Sequence, residues 1–517
     1  MSTQAFTELP APLRGIRRGP SLLWWLTALV LAGLVVLGMY GYLQQRLHGD
    51  IVTGMRSVGG GGASWGLYIM LDITFVGIAF AGISIMCVAR IFHLRELRPF
   101  SRIAGLMSAC ALSMAGLCVI ADLGRPLAGL MNLPKYARTI SPFFGTFTMV
   151  VGAGLIAIVV LMYLSARADA SLAAELLPRG KFFYRLIAAG YGNTPFERNR
   201  HRIVSRLLSL VVLPLMVLSY STLGFVFGIQ SGRPGWFSAL QAPSFMVLAA
   251  ISGTGLLILV AGLAGRFLDL GTELPERAYK WLSTTLLVLI VVLLYFTAVE
   301  ELTDRYAAAT AQSSLSREMT SGTFAPLFWL TTGLFTLSFI ALASMYMRRK
   351  FSLGLAMTVG LVVNIAALIK RFLIVVPSQT HGVLLPYKAG SYTPTWVEYS
   401  VMFGLIALGA LIFLFVVRIF PLVPIKGIEP AHLLSTRVTR PRRHLVRWVA
   451  FLAVFIGGAV LATMGFLWSA RFGTEDFLDP VVPYSPVLFI VGLALCLGSA
   501  VVFELFPRPL VALEEKA

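Results

Sequence analysis

The stretch SWGLYIMLDITFVGIAFAGIS, residues 64–84, is apolar for most of its length yet carries Asp72 seven residues beyond Trp65. At ~1.5 Å per residue a helix of this length crosses the ~30 Å hydrocarbon layer of a bilayer. The same rise puts Asp72 roughly 10 Å below the interface where Trp65 sits, too deep for a short side chain to reach water. A carboxylate in that position is costly unless it has a partner or a task. The residues just ahead, glycines 59–62 and Ser64, read in two ways: a tight loop with a Ser N-cap, or bare backbone that lets a flat ring or a partner subunit approach the helix N-terminus.

The rest of the chain repeats the pattern. It has 517 residues, 57% of them hydrophobic and 13% charged, with a mean hydropathy of +0.83, which excludes every soluble globular class. Twelve apolar runs are long enough to span, near 22–43, 65–89, 103–123, 143–166, 205–228, 243–265, 281–302, 324–347, 351–376, 395–420, 446–468 and 486–506. The fold class is therefore an all-α polytopic membrane protein.

The net charge of +19 invites a nucleic-acid reading, but its distribution follows topology. More than two-thirds of the 42 Lys and Arg fall in the N-tail, the even-numbered loops and the C-tail. Positive residues stay on the cytoplasmic side, so both termini are expected in the cytoplasm and residues 59–65 outside. The basic loops 167–204 and 418–447 are expected to be solvated faces near anionic lipid. Arg14, Arg17 and Arg18 precede the first span with no A-x-A cleavage site after it, which reads as an uncleaved first helix. The longest inter-span stretch is too short for a soluble catalytic module.

Membrane b-type haem needs histidines inside apolar runs; His48, His93, His201, His381, His432 and His444 all fall in loops or at span ends. Cys87, Cys110, Cys118 and Cys496 form no C-x-x-C and lie far from histidine, so an iron–sulfur cluster or metal site in this chain is not expected. A redox role would use a dissociable organic carrier.

Ionisable residues cluster toward the outer side. Asp72 lies in span 2 with Tyr68 one turn above it; Asp122 ends span 3, Glu300 and Glu301 end span 7, Lys370 and Arg371 occupy the outer end of span 9, and Glu398 opens span 10. Glu301 and Glu398 are ordinary helix-end residues. Lys370 and Arg371 can neutralise Glu300 as a buried pair, and Trp65 and Tyr68 can be plain aromatic-belt residues. Asp72 has no such simple account. A carboxylate in a low-dielectric pocket can exchange protons near neutral pH, which is what quinone chemistry asks of its site.

Four motifs, SWGLYIMLDITFVGIAFAGIS at 64–84, ADLGRP at 121–126, KRFLIVVP at 370–377 and YTPTWVEYS at 392–400, resemble the NrfD-like family of quinone-interacting membrane subunits. Its members include the membrane subunits of polysulfide reductase, alternative complex III, menaquinone reductase and the Dsr complex. The resemblance covers residues 20 to 420 and implies two four-helix bundles, helices 2–5 and 6–9, with helices 1 and 10 outside them. It divides the chain into 1–64 (tail, helix 1 and outer loop), 65–228 (first bundle, with the quinone site), 229–376 (second bundle), 377–445 (helix 10 and a basic loop) and 446–517 (two extra helices). Those last two, nearly free of buried charge, are expected to form a scaffold for a partner or lipid.

Carried over, the resemblance makes Asp72 and Asp122 the catalytic acids, with Trp65, Tyr68 and Arg125 around the same menaquinone or ubiquinone, and places Glu300, Glu301, Lys370 and Arg371 on a proton path. It implies a cofactor-free subunit of a respiratory or photosynthetic oxidoreductase in the bacterial inner membrane. Its partners would be a periplasmic ferredoxin-like iron–sulfur subunit and a molybdopterin-type or multihaem cytochrome c subunit. Two alternatives stand beside it. A twelve-helix secondary transporter would place its polar residues near the midplane, whereas here they crowd the outer third; a purely structural anchor would merely pair its acids.

Overall fold

The computed structural model describes residues 21–55, 63–136, 147–177, 180–192, 195–268, 270–306, 310–381, 390–425, 444–470 and 484–505. Glycines 59–62, residues 143–146 at the opening of span 4 and the N-tail arginines lie outside the described residues. Twelve helices are long and apolar enough to cross a membrane, one for each apolar run. They are α1 (Leu22–His48), α2 (Leu67–Ile91), α3 (Arg98–Asp122), α4 (Phe147–Leu176), α5 (Pro195–Gly228), α6 (Gln241–Phe267), α7 (Glu276–Tyr306), α8 (Ala325–Met347), α9 (Leu353–Val375), α10 (Trp396–Ile419), α11 (His444–Ala470) and α12 (Ser485–Leu505). The chain is a multi-pass integral membrane protein.

Packing follows the side chains. Helices α2 to α5 close one four-helix ring and α6 to α9 a second, and α2 and α5 of the first lie against α6 of the second. The core is continuous across both rings. Accordingly α2 is buried on nearly every face, whereas α1 shows most of its apolar surface outward, as a helix facing lipid does. Helix α1 lies along α10 because glycines let the backbones touch: a Cβ at Gly38 would come within 2.8 Å of Gly404 Cα, the small-residue contact that membrane helices use when no hydrophobic drive separates helix from lipid.

Two expectations change at the ends opposite Asp72. Helix α4 runs on to Leu176 and α5 starts at Pro195, both well beyond the apolar runs. The overhangs carry Arg167, Asp169, Glu197 and Arg200 into the protein, where all four are buried. Loop 167–204 is therefore not simply a solvated basic face. Nor is the α11–α12 hairpin nearly free of buried charge, since Glu504 and Arg447 are also buried. Glu504 receives Arg167 at 2.8 Å and His201 at 3.0 Å, an ion cluster that joins α12 to α4 and α5. The oily flanks of α12 hid it from a reading based on hydropathy.

Candidate functional site

The N-terminus of α2 shows how the site is held. Its cap residue is Gly66, with no side-chain cap bond, so the Ser64 cap expected from sequence does not form. The first amides of a helix still need acceptors, and other segments supply them. Gln379 Oε1 accepts from the amides of Ser64 (2.9 Å) and Trp65 (3.0 Å), while its Nε2 donates to the carbonyls of Trp65 (2.9 Å) and Val375 (2.8 Å). Tyr392 Oη accepts from Leu67 N at 3.0 Å and donates to the Glu398 carboxylate. Burial, with the Glu398 charge added to it, pushes the Tyr392 phenol above its usual range, which keeps that hydroxyl a donor. The ring that approaches bare backbone here is thus the chain's own: a Cβ at Gly66 would collide with Tyr392 Oη.

Glu398 is fully buried and completes a capping box with Thr395 at the start of α10. Its second oxygen also accepts from Gly54 N at 2.7 Å, fastening the α1–α2 loop to α10. A helix-end glutamate therefore acts as a clasp.

Behind this clasp lies the polar cluster. Tyr68, on α2, donates to Gln45 Oε1 at 3.0 Å. Gln45, at the end of α1, donates to Asp50 Oδ1 at 3.0 Å and to the Ala121 carbonyl at 3.3 Å, beside Asp122. Arg46 donates to the Gly124 carbonyl at 2.7 Å and lies 3.8 Å from Asp50. Three helix ends are thereby stitched together around two acids. Asp72 and Asp122 are both buried and are electrostatic neighbours, brought together from α2 and α3. Asp72 also lies within electrostatic range of Cys118 on α3 and Tyr220 on α5. Its Oδ1 is buried and makes no hydrogen bond.

The other sequence candidates separate. Trp65 stacks on Trp236, in the α5–α6 connection, at 5.8 Å and lies edge-on to Phe227 at the end of α5. Arg125 is exposed in the turn after α3. Lys370 and Arg371, adjacent in sequence, leave α9 in different directions. Lys370 lines a small cavity of about 10 Å³ with Thr297 and Thr331 inside the second ring and is the electrostatic neighbour of Glu300. Arg371 instead enters the seam between rings, donating to Ser252 Oγ at 3.0 Å and to the Leu248 carbonyl at 3.5 Å, with Tyr220 as its electrostatic neighbour. Glu301 accepts from Ser316 Oγ at 2.6 Å. Neither Asp72 nor Asp122 lines this cavity, the larger one between α7 and α8, or the narrow one beside Phe80 and Tyr220.

Sequence reasoning missed Gln45, Gln379, Tyr392 and Tyr220. All four are uncharged, and each acts on a helix far away in the chain.

Comparison with known proteins places this arrangement. The profile of the family described as "Polysulphide reductase, NrfD" matches residues 57–383. The chain is 31% identical over 414 residues to a protein of Halobacterium salinarum named as a putative dimethyl sulfoxide reductase membrane subunit, covering 76% of this chain and 90% of that one. It is 25% identical over 425 residues to the "Hdr-like menaquinol oxidoreductase integral membrane subunit" of Archaeoglobus fulgidus, covering 80% and 96%. A third relative, a selenate reductase subunit of Mesobacillus selenatarsenatis, is 24% identical over 408 residues, covering 76% and 93%. With its two four-helix rings and a match that spans both of them, the chain belongs to the polysulphide reductase NrfD family.

Proposed function

We propose that this chain is the quinone-binding membrane subunit of a multisubunit oxidoreductase, with its quinone site at the outer end of the first bundle. The observation that carries the reading is the pair Asp72 and Asp122, buried together, with Asp72 Oδ1 left without a hydrogen bond. An unsatisfied buried carboxylate oxygen costs free energy unless a ligand meets it. A quinone fits that need, because its ring suits an apolar slot and its carbonyls take a hydrogen bond from a protonated acid. When bound, the quinone supplies two-electron, two-proton chemistry. Asp72 and Asp122 hold and pass protons at its oxygens, and Tyr68, Gln45 and Arg46 fix the helix ends that carry them.

Electrons come from or go to other subunits. The name of the Archaeoglobus relative, a menaquinol oxidoreductase integral membrane subunit, supports menaquinone as the quinone, and those of the other two, a dimethyl sulfoxide reductase membrane subunit and a selenate reductase subunit, support redox partner subunits, of which we propose an iron–sulfur subunit docked outside as the immediate one. A molybdopterin-type or multihaem cytochrome subunit then completes the complex. The arginine distribution supports cytoplasmic termini and the outer placement of the site. Glu300 and Lys370 in the second ring, with Arg371 at the seam, are proposed to continue a proton route away from the quinone.

The test uses the assembled complex. Asp72→Asn and Asp122→Asn should each lower quinone-linked turnover by about 10²-fold, the usual scale for a positioned proton-transfer group, while the partner subunits still co-purify. Wild-type turnover in both variants removes the site assignment.

A further inference from the structure

A cavity at the other end of the second ring lies far from Asp72. It measures about 270 Å³ and opens between the first turns of α7, the last turn of α8 and the segment leading to α9. This is the end of the molecule opposite the quinone site: α7 begins here beside Glu96, which precedes α3, with Arg277 3.8 Å from it, whereas Asp122 lies at the other end of α3.

The lining is graded by depth. Lys280 and Arg349 stand at the mouth, and Leu287, Leu342, Met345 and Phe351 form the walls. From Lys280 to Leu287 along α7 is roughly 10 Å at the helical rise. Between them sits Ser283, which lines the cavity, is 3% exposed and has a hydroxyl with no hydrogen-bond partner. Its neighbour Thr284 shows the usual alternative, bonding back to the Lys280 carbonyl at 2.9 Å. Arg349 adopts a left-handed backbone at φ 51°, a conformation that non-glycine residues seldom take. That turn carries Arg349 and Phe351 to the cavity, and the exposed run Arg348, Arg349, Lys350 around it outweighs Glu276, which pairs with Lys280 at 2.6 Å.

We propose that this cavity is a binding site for an anionic phospholipid, independent of the quinone reading. The match is in the order of chemistries along the axis. A phosphate head meets Lys280 and Arg349, an ester carbonyl accepts from the Ser283 hydroxyl, and one acyl chain lies on Leu287, Leu342 and Met345. Basic pockets between membrane helices hold anionic headgroups in this way.

The experiment reconstitutes the full chain in nanodiscs of equal phosphatidylglycerol and phosphatidylcholine, then counts retained lipids by native mass spectrometry after release. Wild-type protein should retain phosphatidylglycerol in preference. Lys280→Ala and Arg349→Ala should each reduce that enrichment about fivefold, the value of one basic side chain against an anionic surface, and Glu276→Gln, which frees Lys280, should raise it. Ser283→Leu should expel the lipid by filling the site. Equal retention of the two lipids by the wild type overturns the proposal without reference to any variant. Displacement of the lipid by inorganic phosphate alone overturns it also, by identifying a small soluble anion as the ligand.

Discussion

The guanidinium of Arg371 lies against the bare backbone of Gly77: a Cβ there would sit 3.0 Å from Arg371 Nη2 and 2.7 Å from Tyr220 Oη. Glycine at this point of α2 makes room for a cation from α9 beside the hydroxyl on α5, so a charge sits within the apolar core that the two bundles share. Tyr220 in turn donates to the Ile73 carbonyl at 3.3 Å, the residue next to Asp72. The Asp72 turn of α2 and the second bundle are thus two side chains apart.

That seam can be tested for function separately from packing. Arg371 has no carboxylate within ion-pair distance among the described residues, and Ser252 Oγ and Tyr220 Oη keep their own bonds to the Leu248 and Ile73 carbonyls without it, so an apolar side chain of similar length removes the cost of a buried charge and strands no partner. Arg371→Met should therefore keep the melting midpoint of the detergent-solubilised protein near or above wild type. If the charge serves the proton route, quinone-linked turnover or its coupling to proton movement falls all the same. Full turnover with full coupling in Arg371→Met would reduce Arg371 to a packing residue.

Tyr68 has a different standing from the acids it accompanies. Its hydroxyl proton is committed to Gln45 at 3.0 Å, which makes it a positioning residue for the ends of α1 and α3. Tyr68→Phe leaves a buried Gln45 oxygen without its donor, a loss of about 1–3 kcal/mol, and should lower the melting midpoint. Turnover should stay within a few-fold of wild type, with the change mainly in KM for quinone. A loss as deep as that of Asp72→Asn would instead put Tyr68 on the quinone itself.

How much of this the amino-acid sequence reveals depends on the range of the interaction. Hydropathy locates the spans because each must bury or expose its own residues in lipid, a local requirement. Asp72 is legible for the same reason: its depth is set by distance along one helix. Lys370 and Arg371 mark the limit. Adjacent residues on a helix point about 100° apart, so the pair expected to face Glu300 together divides between the second ring and the seam. Gln45 and Gln379 are invisible for another reason. Each is a single neutral polar residue whose partners lie on other helices, and nothing local distinguishes it from a helix end facing water.

Glu504 provides the last test, at the junction of the added hairpin with the first bundle. Its carboxylate bridges Arg167 at 2.8 Å and His201 at 3.0 Å, and its backbone carbonyl accepts from Arg200. Glu504→Gln keeps the shape but leaves the buried Arg167 guanidinium without its counter-charge. Breaking a buried pair from one side costs about 3–5 kcal/mol, and the contacts that remain to Arg167, the Ala188 carbonyl at 3.3 Å and the Tyr191 ring at 5.3 Å, carry no negative charge. The hairpin should loosen while the Asp72 end of the first bundle stays intact, because Tyr68 and Asp72 share no partner with Glu504. Hydrogen exchange over residues 485–505 should accelerate in the variant while α2 keeps its protection. Unchanged exchange in α12 would show that apolar packing of α12 on α4 and α5 suffices to hold it, and that the ion cluster adds nothing to docking.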